Sequence, residues 1–227
     1  MRQWVVGFVA WMLCASACVA ADLTPTETRW LQGAWPVIAF AREAKLPLDI
    51  VVQPQPSPGA APLALAFIDG RCKLVLSMRG NAEAEATLER IERDLLGATL
   101  EMMAAHELGH CQRYLEGAWY RFPAGFAIRA PAALAAPSQE AYLNMQATRR
   151  EEAYADLVGL AWVRQRHAQK YERLHAWLLK ERAEDLIPGS HHDTLAWLRL
   201  VGHADALTHA SIFSAAAARW TDGLAAD

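Results

Sequence analysis

The spacing of apolar positions divides the chain into one helix, a few short strands and then a long run of helices. Thr24-Pro25-Thr26-Glu27 reads as a helix start: a hydroxyl cap, proline in the first turn, then an acid. Trp30, Ala34, Val37, Ile38 and Ala41 then recur on one face to about Lys45, and Pro47 ends the helix. Residues 49–53 are β-branched and short, which predicts a strand. Residues 53–62 carry four prolines and one glycine, which predicts a loop.

Residues 63–68 and 72–78 are two further strand candidates, and Asp69-Gly70 between them is a hairpin signal. From about Ala84 the pattern turns helical, with Leu88, Ile91, Leu95, Met102 and His106 at three- and four-residue steps. Gly97 is placed to kink this stretch or split it in two. A loop rich in Pro, Gly and Ala covers 117–137; Ser138 with Gln139 or Glu140 then opens a helix reaching about Arg166. Two or three more helices follow, broken at Pro188-Gly189 and near Gly202. No internal repeat or second-domain linker is evident, and the predicted class is α+β.

Composition narrows the setting. The chain has 227 residues, enough for one domain with a real core, and a net charge of −3 spread without long runs of either sign. That balance lacks the clustered basic face a nucleic-acid partner asks for. Residues 1–21 read as a signal peptide: Arg2, a short apolar run from Trp4 to Leu13, then small residues. Cleavage after Ala20 or Ala21 fits, as does cleavage after Ala17. An uncleaved anchor is the rival, because the apolar run is nearly long enough to span. A lipid on Cys18 is a third reading, weakened by Ala15 where such signals favour leucine. The chain is therefore expected in an exported compartment, periplasmic or secreted. Membrane attachment is expected only with an uncleaved segment or a lipidated Cys18. Residues 22–227 form the mature domain. Cys14 and Cys18 belong to the signal, which leaves Cys72 and Cys111; in an oxidising compartment they are expected to be bridged, the alternative being two buried thiols.

The chemistry concentrates in His106-Glu107-Leu108-Gly109-His110. On a helix the two histidines lie about 40° apart, one turn from each other, so both imidazoles reach one zinc ion without bending the backbone. Glu107 projects within the same arc, placed to reach a water at the metal rather than the metal itself. Glu152 and Asp156 fall on the next helix, again one turn apart. One of these carboxylates can complete a His₂Glu set, and the other can accept the free ring N–H of a ligand histidine.

His106-Glu107-x-x-His110 followed by Glu152-x-x-x-Asp156 resembles the gluzincin branch of the zincin metallopeptidases. The element order is similar to that of small stand-alone members: helix, sheet ending in an edge strand, active-site helix, glutamate helix. The resemblance covers roughly 24–202, but its specific part is the two short motifs. It implies one zinc ion held by His106, His110 and Glu152, with Glu107 as general base and Asp156 beside a ligand histidine. It also implies that strand 72–78 is the edge that aligns an extended substrate by adding it as a further strand. Many such enzymes place a His, Tyr or Arg after the glutamate helix to stabilise the oxyanion. His192, with Asp193 as orienting partner, is the candidate here, His191 is next, and Arg199 is a further option.

The expected activity is hydrolysis of a peptide or protein substrate. The alternative is a non-catalytic zinc domain acting as a binding or regulatory partner. Glu107 separates the two, since a structural site has no use for a base and closes its fourth position with Cys or His. A membrane-embedded protease is disfavoured, because no apolar stretch after Ala21 reaches spanning length. His167, His175, His203 and His209 show no ligand spacing. Trp30, Trp35, Trp119, Trp162, Trp177 and Trp197 read as core rather than as a binding platform.

Overall fold

The computed structural model describes residues 22–184 and 186–227; the expected signal peptide lies outside the described residues. The fold is α+β: a small mixed sheet near the N-terminus, followed by several helices. Helix α1 (Pro25–Glu43) starts as its sequence prescribes. The Glu27 N–H donates to the Thr24 hydroxyl at 3.1 Å, and the Thr24 N–H donates back to the Glu27 carboxylate at 2.6 Å. This capping box satisfies two donors that the helix itself leaves unpaired. The face of Trp30, Ala34, Val37, Ile38 and Ala41 is buried throughout. Trp35, on the other side, is 47% exposed, so the core assignment fails for that tryptophan.

Strands β1 (Leu48–Pro54), β2 (Leu63–Ile68) and β3 (Arg71–Arg79) form the sheet in the order β1-β3-β2. The β2–β3 pair is the predicted hairpin, with Asp69 (φ 53°) and Gly70 (φ 73°) both left-handed, as a two-residue type I′ turn requires. The β1–β3 pair is parallel, and it puts β3 in the middle. Strand 72–78 is therefore not an edge; β1 and β2 are, and the correction follows from the parallel entry of β1 beside β3. Alternate residues of β3 (Cys72, Leu74, Leu76 and Met78) are buried, and the strand packs toward α1 and α3.

The long helical stretch divides before Gly97 rather than at it. Helix α2 (Ala82–Arg90) stops at Ile91, which is extended, and α3 (Leu96–Leu115) begins after Leu95. Ile91 and Leu95 are both buried at this corner, so the core keeps both apolar side chains although the helix is interrupted between them. Helix α4 (Ala136–Arg166) starts two residues ahead of Ser138, which caps nothing. Pro137 in the first turn, already set to a helical φ, takes the place of a capping side chain. Helix α5 (Tyr171–Ala183), the short α6 (Leu195–Leu198) and α7 (Ile212–Ala226) close over α4. Among the described residues no helix is long and apolar enough to cross a membrane.

Two features bring the site together. Helices α3 and α4 approach so closely that a Cβ on Gly109 would lie 3.0 Å from the Ala155 Cα. A Cβ on Gly159 would lie 2.9 Å from the Met102 carbonyl oxygen. Larger residues there would push the helices apart. The second feature is a disulfide between Cys72 and Cys111, Cα atoms 5.6 Å apart, both residues fully buried. It bolts the central strand to α3 at the residue after His110.

Candidate metal centre

Helix α3 presents His106 and His110, and α4 presents Glu152 across the close helix contact. The two Nε2 atoms are 3.1 Å apart. One Glu152 oxygen lies 3.4 Å from the His106 Nε2, the other 3.3 Å from the His110 Nε2. Zinc bonds of about 2.0–2.1 Å in a tetrahedron separate neighbouring donors by about 3.3 Å, so each of these spacings is close to the edge of such a tetrahedron. Two imidazoles and one carboxylate also form a donor set suited to zinc. Among the described residues these three are the group of His, Cys, Asp or Glu placed to hold a metal ion.

Asp156 decides how His106 is used. The His106 Nδ1 lies 2.9 Å from the Asp156 Oδ1. Burial pushes this carboxyl up, but the Arg182 charge and the bonds from His106 and Arg182 outweigh it and hold its pKa well below the usual carboxylate range. Asp156 is thus an acceptor, the Nδ1–H donates to it, and Nε2 is the ring nitrogen that faces Glu152. Burial lowers the basicity of His106, yet Asp156 and Glu152 reverse this and raise its pKa to about 10. The field that holds a proton at Nε2 is the field that would hold a divalent cation there. Glu152 is likewise pushed up by burial and pulled well below its ordinary value by the two histidines.

His110 is fixed differently. Its Nδ1 is buried with no hydrogen-bond partner among the described residues, and its ring packs edge-on against Trp119, with centroids 5.3 Å apart. Trp119 in turn stacks on Tyr114, and Tyr114 on Phe67 of β2. Packing rather than hydrogen bonding orients this ring.

A cavity of about 450 Å³ opens over the triad. Glu107 lines it beside the histidines, and burial raises its pKa against the pull of His106 and His110. Leu63, Ala64 and Leu65 of the edge strand β2 form one wall, while Trp177, Leu178 and Arg182 of α5 contribute another. Trp119 and Trp177 therefore line the site rather than the core. Strand β2, and not 72–78, is the strand beside the metal position.

His192 stands on the cavity rim, exposed, with its pKa lowered by desolvation and by the Arg182 charge. Asp193 does not orient it: its carboxylate accepts the Gly189 N–H at 2.8 Å and closes the turn instead. The His191 ring lies 4.0 Å from His192 without lining the cavity. Arg199 is exposed and away from the cavity wall. The positive charge at the site is that of Arg182, whose Nε and Nη2 hold both Asp156 oxygens at 2.9 and 2.6 Å and whose Nη2 lies 3.6 Å from Glu152. In sequence, Lys180-Glu181-Arg182 reads as a solvated helix end, and nothing there distinguishes Arg182. Thr194, whose hydroxyl donates to Asp156 at 2.6 Å, was equally hidden.

The discounted histidines stay apart from the site. His167 meets Glu101, His175 meets the Leu198 carbonyl, and His203 and His209 are exposed. The site thus consists of a three-donor cluster, a buried carboxylate beside it and a cavity with an edge strand for a wall. Comparison of the chain with protein-family models, with curated proteins and with solved structures finds no match.

Proposed function

We propose that the chain is an exported zinc-dependent peptidase of the zincin type, mature from about residue 22. The observation carrying this reading is the convergence of His106, His110 and Glu152 beside a carboxylate, Glu107, that is not part of the triangle. A structural metal site would have no need of that fourth group. The order helix, sheet, histidine helix, glutamate helix supports the same resemblance, with β2 in the role of the edge strand. The buried disulfide agrees with an oxidising compartment.

Bound zinc would supply a Lewis acid that polarises the scissile carbonyl and acidifies a water. The remaining work falls to side chains of this chain. The Glu107 carboxylate, made more basic by its burial, takes a proton from the attacking water and passes it to the departing amine. His192 on the rim and Arg182 within the wall are the donors available to the oxyanion. The unpaired side of β2 offers backbone N–H and C=O groups to an extended peptide, which fixes its register over the metal. The Asp156 carboxylate holds His106 in one tautomer throughout.

The test is a mixed peptide pool incubated with purified protein of residues 22–227, its products read by mass spectrometry with and without a zinc chelator. New peptide termini that vanish with chelator and return with zinc are expected. A zinc-loaded protein that cuts nothing in a broad pool would favour a zinc domain that binds partners without catalysis.

A further inference from the structure

Asp156 holds more than the ring of His106. The residue is 1% exposed, and donors from three other segments fill its two oxygens. Oδ1 accepts from His106 and from Arg182 Nη2; Oδ2 accepts from Arg182 Nε and from the Thr194 hydroxyl. A carboxylate offers about four lone-pair sites, so this one is saturated. The Arg182 fork fixes its plane, with one oxygen turned to the metal ligand and the other to the segment that carries His191 and His192.

Thr194 is fully buried and sits at the N-cap of α6. A threonine in that position ordinarily turns its oxygen to the free N–H groups of its own helix. Here no such bond forms, and the hydroxyl reaches Asp156 at 2.6 Å instead. Two more bonds dock the same turn on α4: Arg149 Nε to the Asp193 carbonyl at 2.9 Å, and Gln146 to the Gly189 carbonyl at 3.3 Å. Gln146, Arg149 and Asp156 lie along the helix that also carries Glu152. One helix therefore supplies a metal ligand, the partner of a second ligand, and the seat of the turn that bears His192.

We infer that Thr194 is a positioning residue: its hydroxyl locks the turn bearing His192 to the carboxylate that orients His106. Displacing the turn pulls on Oδ2, and the rigid carboxylate transmits the displacement to the Oδ1–His106 contact. The kinetic consequence rests on the peptidase reading; the structural consequence does not.

The experiment compares Thr194→Val, which removes the donor at nearly constant shape, with Thr194→Ser, which keeps it. Three properties of the protein are measured: amide hydrogen exchange across 189–195, zinc affinity by chelator competition, and kcat with and without His192→Ala. Thr194→Val should speed exchange in the turn and weaken zinc binding by up to about tenfold, the lower end of what losing the partner of a ligand histidine itself costs. It should lower kcat rather than raise KM, and that loss should disappear in the His192→Ala background. Thr194→Ser should restore wild-type behaviour in all three. If Thr194→Val cannot be recovered folded, Thr194→Ala takes its place with the same measurements. Wild-type exchange and zinc affinity in the hydroxyl-free variant would overturn the inference. So would a serine variant as impaired as the valine one, because packing rather than the hydroxyl would then be responsible. A wild type that cuts no peptide defeats the peptidase reading alone, and exchange and zinc affinity still decide the role of Thr194.

Discussion

The Nδ1–H of His106 donates to Asp156 at 2.9 Å, and this one contact determines which ring nitrogen is free for a metal. Replacing Asp156 by Asn keeps the shape but removes the charge that His106 and Arg182 both answer to. Zinc affinity should fall by about 10- to 100-fold, the usual effect of losing the partner behind a ligand histidine. The unfolding midpoint should fall too, because Arg182 keeps its charge in a site that has lost its main counterion. Chelator competition and urea titration measure the two effects separately.

The helix contact at Gly159 makes a second prediction. A Cβ there would meet the Met102 carbonyl at 2.9 Å, a backbone atom that cannot swing aside. Gly159→Ala should cost about 1–3 kcal/mol and weaken zinc binding by separating the histidines from Glu152. Gly97→Ala, where a Cβ meets nothing within 4 Å, is the control. It should be neutral or stabilising by up to about 1 kcal/mol. Urea unfolding of both variants checks the contrast.

These two predictions mark where the sequence was legible. Local chemistry could be read directly: the Thr24–Glu27 capping box, the Asp69-Gly70 turn and the His-Glu-x-x-His helix each act within a few residues. Relations between distant segments could not. Strand β1 enters the sheet in parallel beside β3, so the edge that the resemblance implied is the central strand, and only tertiary pairing leaves β2 outermost. Arg182 and Thr194 reach Asp156 from 26 and 38 residues away, and neither belongs to a local pattern. Trp119 looked like core because an aromatic packed on His110 has the same sequence signature as one packed on leucine.

The disulfide should matter for folding more than for chemistry. It closes a separation of 39 residues, so the Cys72→Ser, Cys111→Ser pair should lose about 4 kcal/mol on a chain-entropy basis. Wild-type protein from an oxidising compartment should show no free thiol in the mature domain when unfolded without reductant. Thiol titration and urea midpoints check the two parts.

Glu27 links stability to pH. Burial pushes its carboxyl up, but Arg79 at 2.9 Å and the Thr24 bonds hold it below its ordinary value. A carboxyl depressed in the folded state stabilises above its unfolded pKa, and that contribution is lost as pH falls through the folded value. Arg79→Met leaves the charge buried without its cation, so it should be less stable than wild type at neutral pH. Protonation relieves the variant and removes the advantage of the wild type, so the gap should narrow below about pH 4. Urea midpoints at neutral and acidic pH test the sign.

Glu107 separates a catalytic zinc site from a zinc site alone. It lines the cavity beside the histidines without belonging to the metal-binding triangle. The decisive measurement is turnover of a cleaved peptide by Glu107→Gln protein whose zinc content has been determined on the same sample. One zinc per chain is expected, as in wild type, with turnover reduced by about a hundred- to ten-thousand-fold. Near-normal turnover with zinc bound would contradict a catalytic role for Glu107.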